Sequence, residues 1–147
     1  ALFGSGRPCL MLPRWTQQRS WGRRALVAWK AGPEAARALA GALPLLRSAK
    51  LTRILIVSPD PPRMGEDDKT MARISDYLHL HGIDAELPVR RSSDGPVEAV
   101  LAEEIEAFDA DLLVMGAYGR PRAEEIVFGG VSAAMIRRAQ LPVLLAH

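Results

Sequence analysis

Cysteine is almost absent: Cys9 is the only one among 147 residues. An intrachain disulfide and a cysteine zinc cluster are therefore excluded, and a reducing compartment fits best. Histidine is scarce as well. His79 and His81 are two apart, so on a helix they point in different directions, and His147 is terminal; no histidine metal site is expected. Long apolar runs are missing too. The longest, such as Leu112 to Met115 and Val143 to Ala146, are strand-sized, short of the ~18 to 20 residues a membrane helix needs. The opening "ALFGSGRPCLML" is too interrupted for a signal peptide, so the expected location is the cytoplasm. Because the sequence starts at Ala1 and not at Met, the expectation is a fragment or a processed product. No G-x4-G-K-[S/T] loop occurs, which rules out a P-loop ATPase.

Acidic residues are missing from one region. Residues 1 to 30 carry Arg7, Arg14, Arg19, Arg23, Arg24 and Lys30 with no Asp or Glu, and the remaining 13 basic and 17 acidic residues leave −4. A basic arm with Trp15, Trp21 and Trp29 suggests nucleic acid. Its aromatics are too few and too widely spaced for a stacking platform, however, so a linker with solvated arginines is the preferred reading and no nucleic-acid partner is expected. A catalytic constellation is missing as well. Glu103 with Glu104, and Glu124 with Glu125, read as solvated faces; Asp109 and Asp111 merely flank a strand start; Cys9 behaves as a small hydrophobe. Any hydrolysis is expected to be slow at most.

What is present is alternation. A β-compatible run, "RRALVAW" (Arg23 to Trp29), is followed by an amphipathic stripe, Ala35, Leu39, Ala42, Leu43 and Leu46, with Pro33 in its first turn and Pro44 placed to kink or shorten its end. "RILIV" (Arg53 to Val57) is a strand buried on both faces. A helix from about Asp68 to Leu80 turns Met71, Ile74 and Leu78 inward and stops at Gly82. "DAELPV" (Asp84 to Val89) is a weaker strand that Pro88 assigns to an edge. After a loop, Val97, Val100, Leu101, Ile105 and Phe108 form a third stripe. "DLLVM" (Asp111 to Met115), a helix from about Gly130 to Ala139 and "PVLLA" (Pro142 to Ala146) complete the chain. Such alternation predicts an α/β fold: a doubly wound, five-stranded parallel sheet of order 3-2-1-4-5 with helices on both faces. Ligands of such sheets sit beyond the carboxyl ends of strands 1 and 4, where the winding reverses.

The glycines cluster at that point. "LLVMGAYGRPRAEEIVFGGVSAAMI" places Gly116, Gly119, Gly129 and Gly130 around one charged loop. Two explanations stand open: turn punctuation, or backbone brought close to an anion. A helix opening at Gly129 and Gly130 would present unpaired N–H groups and a partial positive charge to phosphate. Ser132 would cap that helix or donate a hydroxyl.

"DLLVMGAYGR", "FGGVS", "LPVLLAH" and, earlier, "LVAWKAGPEAARAL" resemble the universal stress protein family over about residues 23 to 147. That resemblance implies the sheet order above and, for nucleotide-binding members, the pattern G-x2-G-x9-G-[S/T]. Carried across, phosphate and ribose contacts fall on Gly116, Gly119, Gly129, Gly130, Val131 and Ser132, with Arg120 or Arg122 reaching the phosphates. Ala28, Trp29 and Lys30 flank the nucleoside from strand 1, Val57 flanks adenine from strand 2, and Met115 lines the crevice beneath. Two positions depart from the family. Gly130 stands for the Ser/Thr, removing a hydroxyl whose bond to a charged phosphate is worth ~1.5 to 3 kcal/mol; Lys30 stands for a frequent acidic residue. The implied function is a stress-response sensor or regulator binding ATP or another adenine nucleotide, with or without Mg. The alternative is a domain without nucleotide that serves dimerisation or protein interaction.

"SGRPCLMLP" (Ser5 to Pro13) echoes "RAQLPVLLAH" (Arg138 to His147). In tandem members of the family a first domain ends in such a segment. Residues 1 to 22 are thus expected to be the remnant of a preceding domain's last strand plus linker, and residues 23 to 147 the domain proper. Cys9 to Leu12 is expected to pair with the Leu141 to Ala146 edge, in this chain or in a partner, giving a homodimer or a tandem pairing and covering an edge that would otherwise invite association.

Overall fold

The computed structural model describes residues 6–14, 20–58, 65–91, 94–117 and 140–147. In chain order they form β1 (Cys9–Met11), β2 (Arg24–Trp29), α1 (Pro33–Ser48), β3 (Leu51–Ser58), α2 (Glu66–Leu80), β4 (Ala85–Glu86), β5 (Val89–Arg91), α3 (Val97–Phe108), β6 (Leu112–Gly116) and β7 (Val143–Ala146). One sheet runs β1-β7-β6-β2-β3-β4, with β5 also paired to β3. All pairings are parallel except β1 with β7. This is the α/β fold with a mostly parallel sheet that the alternation predicts. The expected helix from Gly130 to Ala139 lies outside the described residues.

Period-two alternation sorts the strand residues between two apolar layers. Ala25, Val27, Ile54, Ile56, Leu112, Val114, Leu144 and Ala146 face one side, where Ala38, Leu39, Ala42 and Leu46 of α1 and Ile74 and Leu78 of α2 cover them. Leu26, Ala28, Leu55, Leu113, Met115, Val143 and Leu145 face the other, under Val100, Leu101 and Phe108 of α3. Burial on both faces is why these strands read as continuous apolar runs.

Several boundaries differ from the sequence expectation. Pro44 neither ends nor shortens α1, which continues to Ser48. Its ring is exposed, and Ser48 Oγ donates to the carbonyls of Pro44 and Leu45 in the last turn. Pro88 splits the third expected strand into β4 and β5. Lacking an N–H it cannot donate to the ladder, yet its carbonyl still accepts from Ile56 N at 3.1 Å. Arg90 and Arg91, expected in a loop, lie in β5. Helix α2 starts at Glu66, two residues before the expected Asp68. It closes as expected at Gly82, whose φ is +71°. Gly82 N bonds to His79 O and Ile83 N to Leu78 O, both at 2.9 Å, while Ile83 and Leu78 join the same apolar layer.

The N-terminal strand pairs within its own chain: Cys9 lies opposite Leu145, Leu10 opposite Leu144 and Met11 opposite Val143, antiparallel. A second contact holds it. A Cβ on Gly41, in mid-α1, would overlap Pro8 Cγ. Glycine in a helix interior costs ~1 kcal/mol relative to alanine, and here the missing side chain makes room for the segment that leads into β1.

Candidate functional site

Strand β2 has β3 on one side and β6 on the other, so the winding reverses at β2. Loops leave adjacent parallel strands there in opposite directions and a crevice opens beyond the carboxyl ends. Register fixes which residues reach it. Ala28 lies opposite Leu55 and Met115, and Trp29 opposite Ile56. Lys30 follows on the exposed turn into α1, and Val57 extends β3 one step past Trp29.

The described part of the expected site therefore converges: Ala28, Trp29, Lys30, Val57, Met115 and Gly116 all stand at one end of three neighbouring strands. They differ in access. Met115 is fully buried and Ala28 nearly so, both in the layer under α3. Trp29 and Val57 are partly buried, and Lys30 is exposed. Gly119, Arg120, Gly129, Gly130, Val131 and Ser132 lie outside the described residues.

Gly116 has a role the sequence reading did not supply. Its φ is not positive; it ends β6, opposite Ala146. A Cβ there would stand 2.8 Å from Ala35 N and 2.9 Å from Glu34 Cβ. The glycine thus lets the first turn of α1 close onto the strand end, which is a packing reason independent of any ligand. That turn starts at Pro33 with no side-chain cap, and Glu34 places a carboxylate against the positive end of the helix.

Trp29 carries an unmet polar group. Among the described residues, its indole Nε1 is the only buried side-chain nitrogen or oxygen without a hydrogen-bond partner. Its ring packs on the layer under α1 and α2.

Charged residues on and around β3, β5, α2 and α3 are engaged with one another. Arg91 Nη1 meets Asp67 Oδ2, in the first turn of α2, at 2.8 Å. Glu104, expected on a solvated face, is 9% exposed. It accepts from Arg90 at 2.8 Å and Arg53 at 3.4 Å because β3, β5 and α3 meet at that edge. Arg53 also holds Glu86 at 2.7 Å, and Arg90 holds Glu103 at 3.1 Å and Asp94 at 3.0 Å. Asp94, followed by Glu104 and Glu103, raises the Arg90 pKa. The Arg91 backbone N–H, then the Arg90 side chain, hold the Asp94 carboxyl below its usual value. Asp111 also does more than flank a strand: its carboxylate accepts from Arg24 N at 2.8 Å and Arg23 N at 3.1 Å, tying the starts of β6 and β2 together. Apart from Asp94, which lies three and four positions from Arg91 and Arg90, the partners are 13 to 88 positions away and leave no local pattern, which is why sequence reasoning missed them.

The molecule is thus a doubly wound α/β domain of the class that seats ligands at a strand-end crevice. The family model described as "Universal stress protein family" matches residues 22–147, and the chain belongs to that family. Among solved structures, a universal stress protein from Archaeoglobus fulgidus DSM 4304 is 22% identical with a TM-score of 0.77, over 99% of this chain and 52% of its own. This chain thus spans about half the length of that protein. A universal stress protein in complex with cAMP is 23% identical (TM-score 0.66), over 85% of this chain and 96% of its own. A family member from Arabidopsis thaliana with AMP bound is 18% identical (TM-score 0.56), over 84% and 90%. No functionally curated protein matches the sequence.

Proposed function

We propose that this is a cytoplasmic stress-response sensor or regulatory domain that binds an adenine nucleotide, with ATP and Mg as one form, beyond the carboxyl ends of β2 and β6. The observation that carries the reading is the convergence of Ala28, Trp29, Lys30 and Val57 at the winding reversal, directly before the glycine pattern that begins at Gly116. Structural relatives with AMP and cAMP bound support the adenine class. The fit is by parts. Ala28 and Met115 supply an apolar floor, Trp29 an unmet donor, and the strand ends backbone groups for a base. The phosphates fall to Gly119, Gly129, Gly130, Val131 and Ser132, with Arg120 reaching in. A bound nucleotide would supply a polyanion, and the chain's own residues would orient and shield it.

A second reading has its own support. Gly116 is already explained by α1 packing, and the β7 edge takes an added strand through backbone pairing. Both suit an interaction module without nucleotide, in which Leu141 to Ala146 and Cys9 to Leu12 form a tandem-domain or homodimer contact. The relative from A. fulgidus, about twice as long, covers 99% of this chain, whereas the AMP and cAMP relatives cover 84 and 85%; this supports assigning residues 1 to 22 to a preceding domain. Calorimetric titration with AMP, cAMP and Mg-ATP separates the readings. Saturable heat that disappears in Gly119→Val is the expected result, since a valine blocks backbone approach to phosphate. Absence of heat at millimolar nucleotide from the folded protein establishes the interaction module instead.

A further inference from the structure

We propose that β1 stands where the last strand of a second copy of this chain would lie, so that the β7 edge has two mutually exclusive occupants: β1 of its own chain and β7 of another. The inference deepens the strand contact named above by assigning its register and its competitor. It is independent of whether the crevice holds a nucleotide.

Sequence and register carry it together. Pro8, Cys9, Leu10 and Met11 match Pro142, Val143, Leu144 and Leu145 position by position: a proline, then three apolar residues with leucine in the middle. β1 lies antiparallel on β7 with Leu10 opposite Leu144, Cys9 opposite Leu145 and Met11 opposite Val143. With the matching β7 residues put in the place of β1, the pairs become Leu144 with Leu144, Val143 with Leu145 and Leu145 with Val143. All three matched positions then cover one another about a twofold axis through Leu144, as a contact between identical surfaces requires. The faces agree as well. Met11, which matches Leu145, packs in the same layer as Leu145 and Val143.

The proline has a prepared seat. Gly41, on the exposed side of α1, leaves the gap that Pro8 fills. The match carries Pro142 of a second copy to that same notch. Only one occupant fits at a time, because the other side of β7 is taken by β6. β1 has the advantage of its tether. A short flexible linker gives an effective concentration in the millimolar range, which a second copy has to supply by mass action. β1 thus holds the edge closed, and its release opens β7 to a second copy.

The test uses the full chain with Cys9→Ser throughout, so that any introduced cysteine is the only one. Neighbouring N–H groups of a strand point to opposite edges, so Leu10→Pro with Met11→Pro removes one aimed at β7. In sedimentation equilibrium this released variant should double in mass, while the chain with β1 intact stays monomeric. Directly opposed Cα atoms lie ~4.5 to 5.5 Å apart, within disulfide reach. Leu144→Cys in the released variant should therefore form a disulfide-linked dimer with oxidised glutathione. Val143→Cys should not, since its mate lies two places along, ~7 to 8 Å away. With β1 intact, Leu144→Cys should crosslink at least about tenfold more slowly, its edge being covered. A released variant that is folded by circular dichroism yet monomeric overturns the proposal. A dimer that does not crosslink through Leu144→Cys overturns the register and leaves a contact between copies standing. Equal crosslinking with β1 intact overturns the competition. Should the two prolines prevent folding, Pro8→Gly with Leu10→Asp weakens β1 at the notch and at its centre, and is read in the same way.

Discussion

The two edges of this sheet meet the same hazard in different ways. At one edge β7, buried along its whole length, pairs with β1 through backbone hydrogen bonds, and the segment before β1 seats Pro8 against Gly41. At the other, β4 and β5 are two short pieces broken at Pro88 and closed by Arg53, Glu86, Arg90, Asp94, Glu103 and Glu104. Short strands, proline and charge make an edge a poor template for further pairing. An apolar strand does the opposite, since β1 becomes the new edge and leaves Leu10 and Leu12 at 37% and 54% exposure. The contrast teaches that one side of the sheet ends in short, charged strands and the other in an apolar one, and the second is the side on which the proposed tandem or dimer contact would form.

The charged edge should be the more costly to break. Glu104 sits between two arginines whose side chains are 24% and 27% exposed. Arg53 also lies 4.4 Å from the centre of the Phe108 ring, with Arg24 at 4.7 Å. Removing one member of a buried ionic group costs about 3 to 5 kcal/mol; partial exposure lets the arginines rehydrate, so Glu104→Ala is expected to destabilise by about 2 kcal/mol. Urea denaturation reads this. Glu86→Ala, whose side chain is 58% exposed, should change stability by no more than about 0.5 kcal/mol. Equal effects from the two substitutions would mean that burial of Glu104 is not what holds this edge.

The apolar edge should show a smaller effect whose sign can be reversed. Gly41→Ala places a methyl group where Pro8 sits, and the rigid proline ring has to move. With Pro8 present the substitution is expected to destabilise by about 1 kcal/mol, a modest overpacking. In a Pro8→Gly background the clash is gone and only helix propensity remains, so the same change should stabilise by about 1 kcal/mol. A double-mutant cycle measures the difference. Stabilisation in both backgrounds would show that β1 does not dock on α1 in solution.

This contrast also explains what the sequence disclosed. Strands β2, β3, β6 and β7 were legible because burial on both faces writes itself as an apolar run, and α1 to α3 because their stripes repeat at helical spacing. The edges were half legible. Cys9 to Leu12 was expected to add to the last strand because it resembles one; Arg90 and Arg91 read as loop because nothing local reveals their partners Glu104 and Asp67, 14 and 24 positions away. Among the candidate site residues, Ala28, Trp29, Lys30, Val57 and Met115 came from the family resemblance and Gly116 also from its place after an apolar run; the structure sets all six at one end of neighbouring strands. The unmet Trp29 N–H and the packing duty of Gly116 depend on what stands opposite in space, and sequence spacing does not encode that.

The smallest expected effect is one of pH, and it belongs only to the charged edge. The Asp94 carboxylate accepts from Arg91 N and from Arg90 Nε, each at 3.0 Å, and its pKa is lowered from the usual 3.8. A carboxyl group with a depressed folded-state pKa favours the folded form while it is ionised. Its contribution is therefore complete above the unfolded-state value and is lost as pH falls through the folded-state value. Arg90, held upward first by Asp94, stays cationic throughout this window. The stability difference between wild type and Asp94→Asn should thus be constant from neutral pH down to the ordinary carboxylate range and shrink below it. Since Asp94 is exposed, three residues past the end of β5, the difference should also diminish in salt. Denaturation midpoints of the two proteins across acid pH give the curve. A difference that persists unchanged at the lowest folded pH would show that the backbone contact to Arg91, which an asparagine oxygen can also accept, matters less than the shape of the turn itself. Gly41→Ala measured alongside should give a difference independent of both pH and salt, as befits an edge held by packing.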